Sequence, residues 1–568
     1  MQEQAFDCDV LVIGSGAGGL AAAVTASVLG LEVIVSDHAD RFGGTSAISG
    51  GEVWVPMNRQ AGEGRADSAA AAMTYLQQVI GDRLDRPRVE TYVTRAAEAL
   101  AFLEDHSHVE YELLEYVVDY FSELPGATNG LRSLGAMPFD GRLLGKRFHE
   151  IRPPLAMSMI FGGMALGRED IPHFTQFTRS PRSAAHVAGM LLRHFRDRLS
   201  GYSRGTRMVM GNALVGRLVL TLLERNVPLW LSTPTADLSR DGGRVSGALL
   251  RHPSGLRRVR ARRGVIIASG SFSGSRQMQQ RYFAHVQAGK THRSHLPSTN
   301  DGSGMDLVVS CGGVIDRNVA QPGAFTPVSV LPMPDGSEGL APHFGDRAKP
   351  GVIVVNSRGR RFANEALNYH DFVQAMLQTN AQERDAECYV MTSRRHLRKY
   401  GLGRVPPFPG RIGPFLRSGY LVKGDSLREL AMQLGIDAAG LEQTVREFDE
   451  HAHHGVDAVF AKGGTAYERA AGDPDVKPNP CVAPLGDGPY YAVRIVPGDI
   501  GTLVGVKVDP MARALDAAGR PIPGLYAVGT VASSIMGGTY PAAGAMLGPA
   551  LTFGYLAAKD ISGATLTR

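Results

Sequence analysis

The chain has 568 residues and a net charge of +5; 43% of its residues are hydrophobic and 20% are charged. This composition is typical of a soluble globular protein with about two to four domain-sized units. No uninterrupted apolar run reaches the roughly 18 residues that a membrane-spanning helix needs, so no membrane span is expected. The four cysteines, Cys8, Cys311, Cys388 and Cys481, have no C-x-x-C spacing. We therefore expect no iron–sulfur cluster, zinc or other metal site, no disulfide framework, and a reducing compartment.

The first residues and two basic stretches indicate the location and the partners of the protein. The first predicted strand follows Met1 almost directly, so we expect no signal peptide and a cytoplasmic protein. The basic stretches are Arg251–Arg263 and Arg179–Arg207, and we interpret them as a solvated strand and a solvated helix face, with no nucleic acid as partner. In Ser183–Ser200 apolar and basic residues alternate, as in a helix that packs on the protein's own core. Peripheral contact of this helix with a membrane is the alternative.

An apolar strand at Asp9–Ile13 runs directly into the glycine-rich turn Gly14–Gly19. An alanine-rich helix follows, and a second apolar strand at Glu32–Val35 ends near Asp37, an acid placed to bind ribose hydroxyls. This is the G-x-G-x-x-G fingerprint in its strand–turn–helix–strand setting, which predicts a dinucleotide-binding unit. Its first glycine makes the tight turn, its second lets the backbone approach a pyrophosphate at the helix N-terminus, and its third lets the helix pack on the strand. These glycines are Gly14, Gly16 and Gly19.

A second cluster of glycine, serine and threonine follows the second strand, at Arg41–Gly51. It resembles the stretch that runs along the pyrophosphate and isoalloxazine in flavoproteins of the fumarate-reductase type, although an ordinary polar loop has a similar composition. Near the C-terminus, Gly524–Thr530 resembles the second FAD-binding segment that closes this class of fold. The resemblance implies FAD as the cofactor. The expected FAD-binding residues are Gly14, Gly16, Ala17, Gly19, Asp37, Gly43, Gly44, Thr45, Ser46, Ser49, Gly50, Gly51, Gly270, Gly529 and Leu547.

The chain is expected to return twice to the dinucleotide-binding sheet. Arg263–Gly270 reads as a buried strand that ends in small residues and makes the first return. A long insertion with predicted helices at Asp425–Leu434 and Ala439–His451 precedes the second return. We therefore predict an α/β protein with a discontinuous Rossmann-like FAD-binding domain and an inserted α+β catalytic cap domain, with the substrate at their junction. The predicted ranges are 1–279 and 486–568 for the FAD-binding domain and 280–485 for the cap.

Tyr369 is the first candidate for catalysis. A flavin accepts a hydride, so desaturation of a carbon–carbon bond also requires a base for the proton on the adjacent carbon and donors for a neighbouring carbonyl oxygen. Tyr369 lies in Asn364–Phe372, which resembles a segment of the fumarate-reductase superfamily in which fumarate reductases carry an arginine. With a tyrosine at this position, the segment resembles the 3-ketosteroid dehydrogenase branch, whose motif reads NEA-x-x-Y-x-DF.

Two further segments resemble the same branch. Gly538–Tyr555 looks like the 3-ketosteroid Δ1-dehydrogenase signature TYPGPGGTIGPAMTFGY, in which a tyrosine hydroxyl and a glycine N–H bind the 3-keto oxygen. Those positions map to Tyr540 and Gly544. The segment around Tyr120 resembles the DYxxExPG motif, whose tyrosine hydrogen-bonds the base. Tyr120 is therefore expected to help lower the pKa of Tyr369.

The resemblance implies an FAD-dependent enzyme that introduces the Δ1 double bond into ring A of a 3-ketosteroid. Tyr540 and Gly544 would polarise the ketone, Tyr369 would take a proton, and the flavin would take a hydride and be reoxidised by a quinone or another acceptor. The alternatives are a Δ4-(5α)-dehydrogenase, a reductase of an activated alkene, and a flavoprotein that binds a steroid without converting it. Two departures from the family pattern concern the substrate: Pro541–Ala545 replaces PGPGG, and residues 140–207 are longer and more basic than in compact members.

Overall fold

The computed structural model describes residues 3–62, 67–178, 180–333, 335–408 and 410–564. Arg179, where the second basic stretch begins, lies outside these residues. Two large sheets organise the described part of the chain. The strands of the first sheet are, in spatial order, Leu229–Trp230, Val33–Ser36, Glu3–Ile13, Gly255–Ile267, Arg244–His252 and Thr235–Asp241, with Pro521–Ala527 next to Gly255–Ile267 and Arg513–Leu515 next to Pro521–Ala527.

The centre of the first sheet is parallel and buried on both faces. Val10, Leu11 and Val12 are fully buried, as expected for an apolar run between parallel neighbours with helices on the faces. Helix Ala17–Val28 packs against the C-terminal helix Leu547–Ser562. The sheet is therefore the predicted Rossmann-like unit, with the second predicted strand at Val33–Ser36.

Two fingerprint glycines are required by the backbone. Gly14 has φ +112°, and an added Cβ would lie 2.3 Å from the carbonyl oxygen of Ala268. An added Cβ on Gly19 would lie 2.2 Å from the carbonyl oxygen of Gly14. Any larger residue at these positions would separate the helix from the strands.

The second sheet is mostly antiparallel and carries the inserted part of the chain. Its strands are, in order, Glu338–Pro342, Gly323–Pro332, Tyr490–Thr502, Cys388–Ser393 and Val352–Val355, with Arg293–Ser294 and Leu421–Gly424 also next to Tyr490–Thr502. Tyr490–Thr502 is thus the central strand of this sheet, although the predicted boundary at residue 486 assigned it to the FAD-binding domain. Three of its hydrogen-bonded partners, Gly323–Pro332, Cys388–Ser393 and Leu421–Gly424, lie in the predicted cap. The domain boundaries stay a prediction.

Small sheets and helices complete the fold. The small sheets pair Val53–Trp54 and Tyr111–Leu113 with Ser133–Ala136, Phe139–Asp140 with Arg207–Met208, Met159–Ile160 with Met164–Ala165, and Ile315–Asp316 with Gly505–Val506. The other α-helices of the described chain are Ala69–Ile80, Arg86–His106, Ile171–Gln176, Pro181–Leu199, Met210–Glu224, Arg276–Tyr282, Ala284–Gln287, Ser303–Ser310, Tyr369–Thr379, Arg394–Tyr400, Gly413–Arg417, Leu427–Leu434, Ala438–Ala452 and Ala466–Ala471. The predicted helices at Asp425–Leu434 and Ala439–His451 thus lie within two residues of the observed bounds.

The first basic stretch lies on the long strand Gly255–Ile267, next to the acidic residues of the first strand. Arg258 pairs with Glu3, and Arg262 pairs with Asp9 and Glu32. The paired arginines stay partly exposed, as expected for the predicted solvated strand.

Helix Pro181–Leu199 has an unusual distribution of side chains. It buries His194 and Asp197, whereas Leu192, Phe195 and Leu199 are 73%, 58% and 90% exposed. Packing on the protein's own core therefore explains only part of its amphipathic pattern, and membrane contact stays a prediction. None of the described helices is both long enough and apolar enough to cross a bilayer.

Candidate active site

One cavity of about 690 Å³ is lined by residues of both the first-sheet and the second-sheet parts of the chain. Loops of the first sheet contribute the glycine-rich segments, and the insertion contributes the start of helix Tyr369–Thr379. Nearly all predicted site residues line this cavity. They are Gly14, Gly16, Ala17, Gly19, Asp37, Gly44, Thr45, Ser46, Ser49, Gly50, Gly51, Gly270, Gly529, Leu547, Tyr120, Tyr369, Tyr540 and Gly544.

Gly43 is the exception among the predicted cofactor residues. It has φ +102°, and an added Cβ would lie 2.7 Å from the Cβ of Ala47 and 2.9 Å from Val215. Its N–H donates to the Ser15 hydroxyl at 3.1 Å. Gly43 therefore makes a turn and packs against its neighbours, and the cavity wall begins at the next residue.

The fingerprint presents an uncapped helix end to the cavity. Gly16 is the N-cap of helix Ala17–Val28 and offers no side-chain cap, although Ala17 N–H donates to the Ser46 hydroxyl at 3.0 Å. The Asp37 carboxylate accepts hydrogen bonds from the Ser15 N–H at 2.8 Å and the Ala39 N–H at 2.8 Å. An uncapped N-terminus beside a fixed carboxylate suits a pyrophosphate and a ribose, so the residues present fit a dinucleotide such as FAD.

Three tyrosines meet in the wall of the same cavity. The hydroxyl oxygens of Tyr120 and Tyr369 are 3.1 Å apart. The ring centroid of Tyr369 is 5.7 Å from that of Tyr120 and 5.3 Å from that of Tyr540, and those of Tyr120 and Tyr540 are 6.0 Å apart. Residues separated by hundreds of positions in the sequence thus form one cluster of hydroxyl groups.

Buried polar contacts hold the turn that precedes Tyr369. Asn368 caps helix Tyr369–Thr379 by accepting a hydrogen bond from the Asp371 N–H at 3.0 Å. The buried Arg347 donates to the carbonyl oxygen of Glu365 at 2.6 Å and to that of Leu367 at 3.2 Å. Tyr369 is therefore the first residue of a fixed helix, where the positive end of the helix dipole favours negative charge.

Backbone hydrogen bonds connect the segments of Tyr120 and Tyr540. The Tyr120 N–H donates to the carbonyl oxygen of Pro541 at 2.9 Å, and the Tyr75 hydroxyl donates to the same oxygen at 2.6 Å. The neighbouring Asp119 accepts a hydrogen bond from Trp54 Nε1 at 2.7 Å. The relative positions of the two tyrosines are thus fixed by the fold.

Gly544 has a backbone N–H that is open to a ligand. Its φ is +92°, and its carbonyl oxygen accepts a hydrogen bond from the Trp54 N–H at 3.3 Å. Within the part of the chain that the structure describes, the Gly544 N–H donates no hydrogen bond. Together with the Tyr540 hydroxyl it can act as a pair of donors for one oxygen atom.

Burial keeps the tyrosine cluster neutral. It raises the pKa of Tyr540 to about 12, and the pKa values of Tyr120 and Tyr369 lie well above the ordinary value, first because of burial and then because of the neighbouring phenols. For Tyr369 the hydrogen bond with Tyr120 adds to the rise in pKa that burial causes, a direction opposite to the predicted lowering by Tyr120.

Several other residues of the cavity were not predicted. Phe344 lies 5.0 Å from Tyr369 between ring centroids, and Asn300 donates to the Thr45 hydroxyl at 2.6 Å. Arg168 forms an ion pair with Glu52, and burial lowers the pKa of His295 to about 4. Glu52 directly follows the glycine cluster and could have been included with it, whereas no local motif singles out the other residues.

The FAD binding domain family matches residues 9–547 of this chain. The chain therefore belongs to this family of FAD-binding flavoproteins. The family and the relatives described next confirm the predicted fold class, FAD as the cofactor, and an FAD-dependent oxidoreductase that acts on CH–CH bonds.

Individual relatives are dehydrogenases of ring compounds. The chain is 41% identical over 564 residues to the 4-oxocyclohex-2-ene-1-carboxylate 5-dehydrogenase of Sinomonas cyclohexanicum, covering 99% of this chain and 95% of the relative. It is 34% identical to the 3-oxosteroid 1-dehydrogenase of Mycolicibacterium smegmatis, covering 98% and 97%. The crystal structure of 3-ketosteroid Δ1-dehydrogenase from Sterolibacterium denitrificans with 1,4-androstadiene-3,17-dione is similar at a TM-score of 0.89 and 35% identity, covering 98% and 99%.

Proposed function

We propose that this protein introduces a carbon–carbon double bond next to the carbonyl group of a ring ketone. The observation that carries the proposal is the meeting of Tyr120, Tyr369 and Tyr540 with the open N–H of Gly544 in the wall of a cavity that also contains the dinucleotide fingerprint. The arrangement supplies a base and a pair of donors beside a site that fits a flavin.

The ketone oxygen is bound by the Tyr540 hydroxyl and the Gly544 N–H. The backbone contact with Trp54 holds Gly544, and ring contacts with Tyr120 and Tyr369 hold Tyr540. Donors held in this way stabilise the negative charge that develops on the oxygen without rearranging. This makes the hydrogen atoms on the neighbouring carbon acidic. Gly544 acts through its backbone, so its role depends on conformation and not on a side chain.

Tyr369 accepts the proton from the carbon next to the ketone. Its hydroxyl is 3.1 Å from that of Tyr120, which can donate a hydrogen bond to the phenolate and hold it in place. FAD, when bound, would supply the acceptor for the hydride of the adjacent carbon. The proton on Tyr369 and the hydride together account for the two hydrogen atoms that the new double bond requires.

FAD would be held by the segments of the first sheet. The uncapped turn at Gly16 and Ala17 suits the pyrophosphate, Asp37 suits a ribose, and the loop Gly44–Gly51 suits the rest of the cofactor. Gly270, Gly529 and Leu547 line the same cavity and complete the set. The electron acceptor that we propose is a quinone or another small oxidant.

Two classes of ring ketone are candidates for the substrate. A 3-ketosteroid that is oxidised at the Δ1 position is the substrate predicted from the tyrosine motifs, and it is supported by the relatives at 34% and 35% identity. A cyclohexanone or cyclohexenone that carries a carboxylate is the second class, favoured by the relative at 41% identity. Pro541–Ala545, which departs from the steroid signature, lies directly beside the ketone donors.

The test is turnover by the FAD-loaded protein with an artificial electron acceptor, followed by mass spectrometry. A 3-keto-4-ene steroid and a 4-oxocyclohexanecarboxylate are assayed in parallel. Loss of two hydrogen atoms from either compound next to its ketone supports the proposal. A Tyr116→Phe variant serves as the control for tyrosine substitutions in general and should react like the wild type, because Tyr116 is 59% exposed and does not line the cavity. Stable binding of both compounds with no reduction of the flavin would contradict an enzymatic role.

A further inference from the structure

We propose that Arg168 binds a carboxylate group of the substrate and thereby selects acidic ring ketones over neutral ones. The inference rests on the proposed function, because it assigns a second group of the same substrate in the same cavity. Arg168 lies in the segment 140–207, which the sequence comparison with the steroid dehydrogenases predicts to be longer and more basic.

The cavity contains few positively charged groups that could attract an acidic substrate. Among the described residues that line it, Arg168 is the only lysine or arginine. A neutral steroid has no group that needs a guanidinium, whereas a carboxylate is matched by its planar fork of N–H donors. The wall also contains the carboxylates of Asp37, Glu52 and Asp301. Arg168 is thus the one lysine or arginine among the described lining residues that can bind an acidic group of the substrate.

The turn that carries Arg168 is fixed by buried contacts. The fully buried carboxylate of Asp170 accepts hydrogen bonds from the Gly167 N–H at 2.7 Å and from Arg207 at 2.7 Å. It also contacts His186 Nε2 at 2.9 Å. The backbone of Arg168 is thus held in position before a ligand arrives, as a binding residue requires.

Arg168 and the proposed base, Tyr369, lie in the same cavity. Both residues line the cavity that also contains Tyr540 and Gly544. A carboxylate on Arg168 would therefore lie in the same compartment as a ketone bound by Tyr540 and Gly544. A six-membered ring with the two groups on opposite carbons has both features in one small molecule.

Glu52 determines how strongly Arg168 attracts an anion. It forms an ion pair with Arg168 and is 9% exposed. The guanidinium has five N–H donors and can contact two carboxylates at once, but a second carboxylate is repelled by the first. Removal of the Glu52 charge should therefore strengthen binding of an acidic ketone, whereas removal of the Arg168 charge should weaken it.

The experiment measures a binding preference that does not depend on turnover. The full-length FAD-loaded protein is titrated without oxygen with 4-oxocyclohexanecarboxylate and, separately, with its methyl ester, while the flavin absorbance gives Kd and the rate of any reduction. The readout is the ratio of the ester Kd to the carboxylate Kd. Arg168→Gln should reduce this ratio about 10- to 100-fold, the range expected for one charged hydrogen-bonded contact. Glu52→Gln should increase it, and Arg168→Lys should lie between the wild type and Arg168→Gln.

Arg196→Gln is the matched control, because Arg196 lies in the same segment 140–207, is exposed and does not line the cavity. It should leave the ratio unchanged. Equal ratios in the wild type and Arg168→Gln would overturn the role of Arg168, and so would a loss of binding that affects ester and carboxylate equally. If the wild type prefers the carboxylate through Arg168 but the flavin is reduced by neither ketone, Arg168 keeps its role and the proposed reaction fails. If the flavin is reduced without any such preference, the reaction stands and the role of Arg168 fails.

Discussion

Replacement of Tyr369 by phenylalanine separates the proposed base from a merely structural tyrosine. The substitution keeps the ring, which packs against Phe344 and Tyr540 at centroid distances of 5.0 and 5.3 Å. It removes one hydroxyl group and the contact of 3.1 Å with the Tyr120 hydroxyl. The expected structural effect is therefore small, and the expected chemical effect is large.

The two effects differ in magnitude. A hydrogen bond between neutral groups contributes about 1 kcal/mol to stability, so the free energy of unfolding should fall by about that amount. Removal of a general base typically slows the reaction by about 10² to 10⁴-fold, which corresponds to about 3 to 5 kcal/mol in the barrier. A loss of rate that far exceeds the loss of stability identifies Tyr369 as the base.

The assay is stopped-flow reduction of the FAD-loaded protein by a ring ketone in the absence of oxygen. Tyr120→Phe is the matched control, because it removes the same hydrogen bond and keeps the hydroxyl of Tyr369. It should slow flavin reduction only about tenfold, since it weakens a supporting contact. If Tyr369→Phe and Tyr120→Phe slow the reaction equally, or if Tyr369→Phe reduces its flavin within tenfold of the wild-type rate, Tyr369 is not the base.

Three further predictions follow from the pKa values, the backbone and the surface. Burial raises the pKa of Tyr369, and the phenolate is the form that accepts a proton. Flavin reduction should therefore accelerate about tenfold per pH unit from about pH 6 to 9. A rate that is constant over this range would contradict the mechanism. Gly544→Ala should weaken ketone binding at least about tenfold in a flavin titration, because an added Cβ would lie 2.4 Å from the backbone of Val53. The control Gly189→Ala should have no effect on binding, because nothing lies within 4 Å of its Cβ. If helix Pro181–Leu199 contacts membranes, the protein should sediment with anionic vesicles, and the double substitution Leu192→Ser and Leu199→Ser should reduce sedimentation. The control Met432→Ser, which removes a side chain that is 74% exposed on the second-sheet part of the chain, should reduce it less. Equal sedimentation of these variants would exclude the helix as the contact.

Local sequence determines the parts of the account that were predictable. The fingerprint could be identified because Gly14 and Gly19 each satisfy a steric requirement within one strand–turn–helix unit. The tyrosines could be identified because each lies in a short motif of its own, at Tyr120, Tyr369 and Tyr540. Their meeting in one cavity depends on the tertiary fold, and the resemblance to a known family supplied that information.

Other features could not be read from the sequence because they depend on contacts between distant segments. The sheet that contains the strand Tyr490–Thr502 could not be predicted, since the apolar pattern of the strand shows burial but not which strands pair with it. The glycine cluster does not show which of its members line the cavity, and Gly43 is not among the residues that line it. Arg168 lies in no motif and outside both basic stretches, so only the structure places it in the cavity.

The most direct test of the central claim is flavin reduction by a ring ketone that carries deuterium on the carbon that loses the hydride. The FAD-loaded protein is mixed with the labelled and the unlabelled ketone without oxygen, and the product is identified by mass spectrometry. The account predicts bleaching of the flavin, a slower rate with the deuterated ketone, and a product with a double bond next to the carbonyl. A flavin that stays oxidised with every steroid and cyclohexanone tested, although the ketones bind, would contradict it.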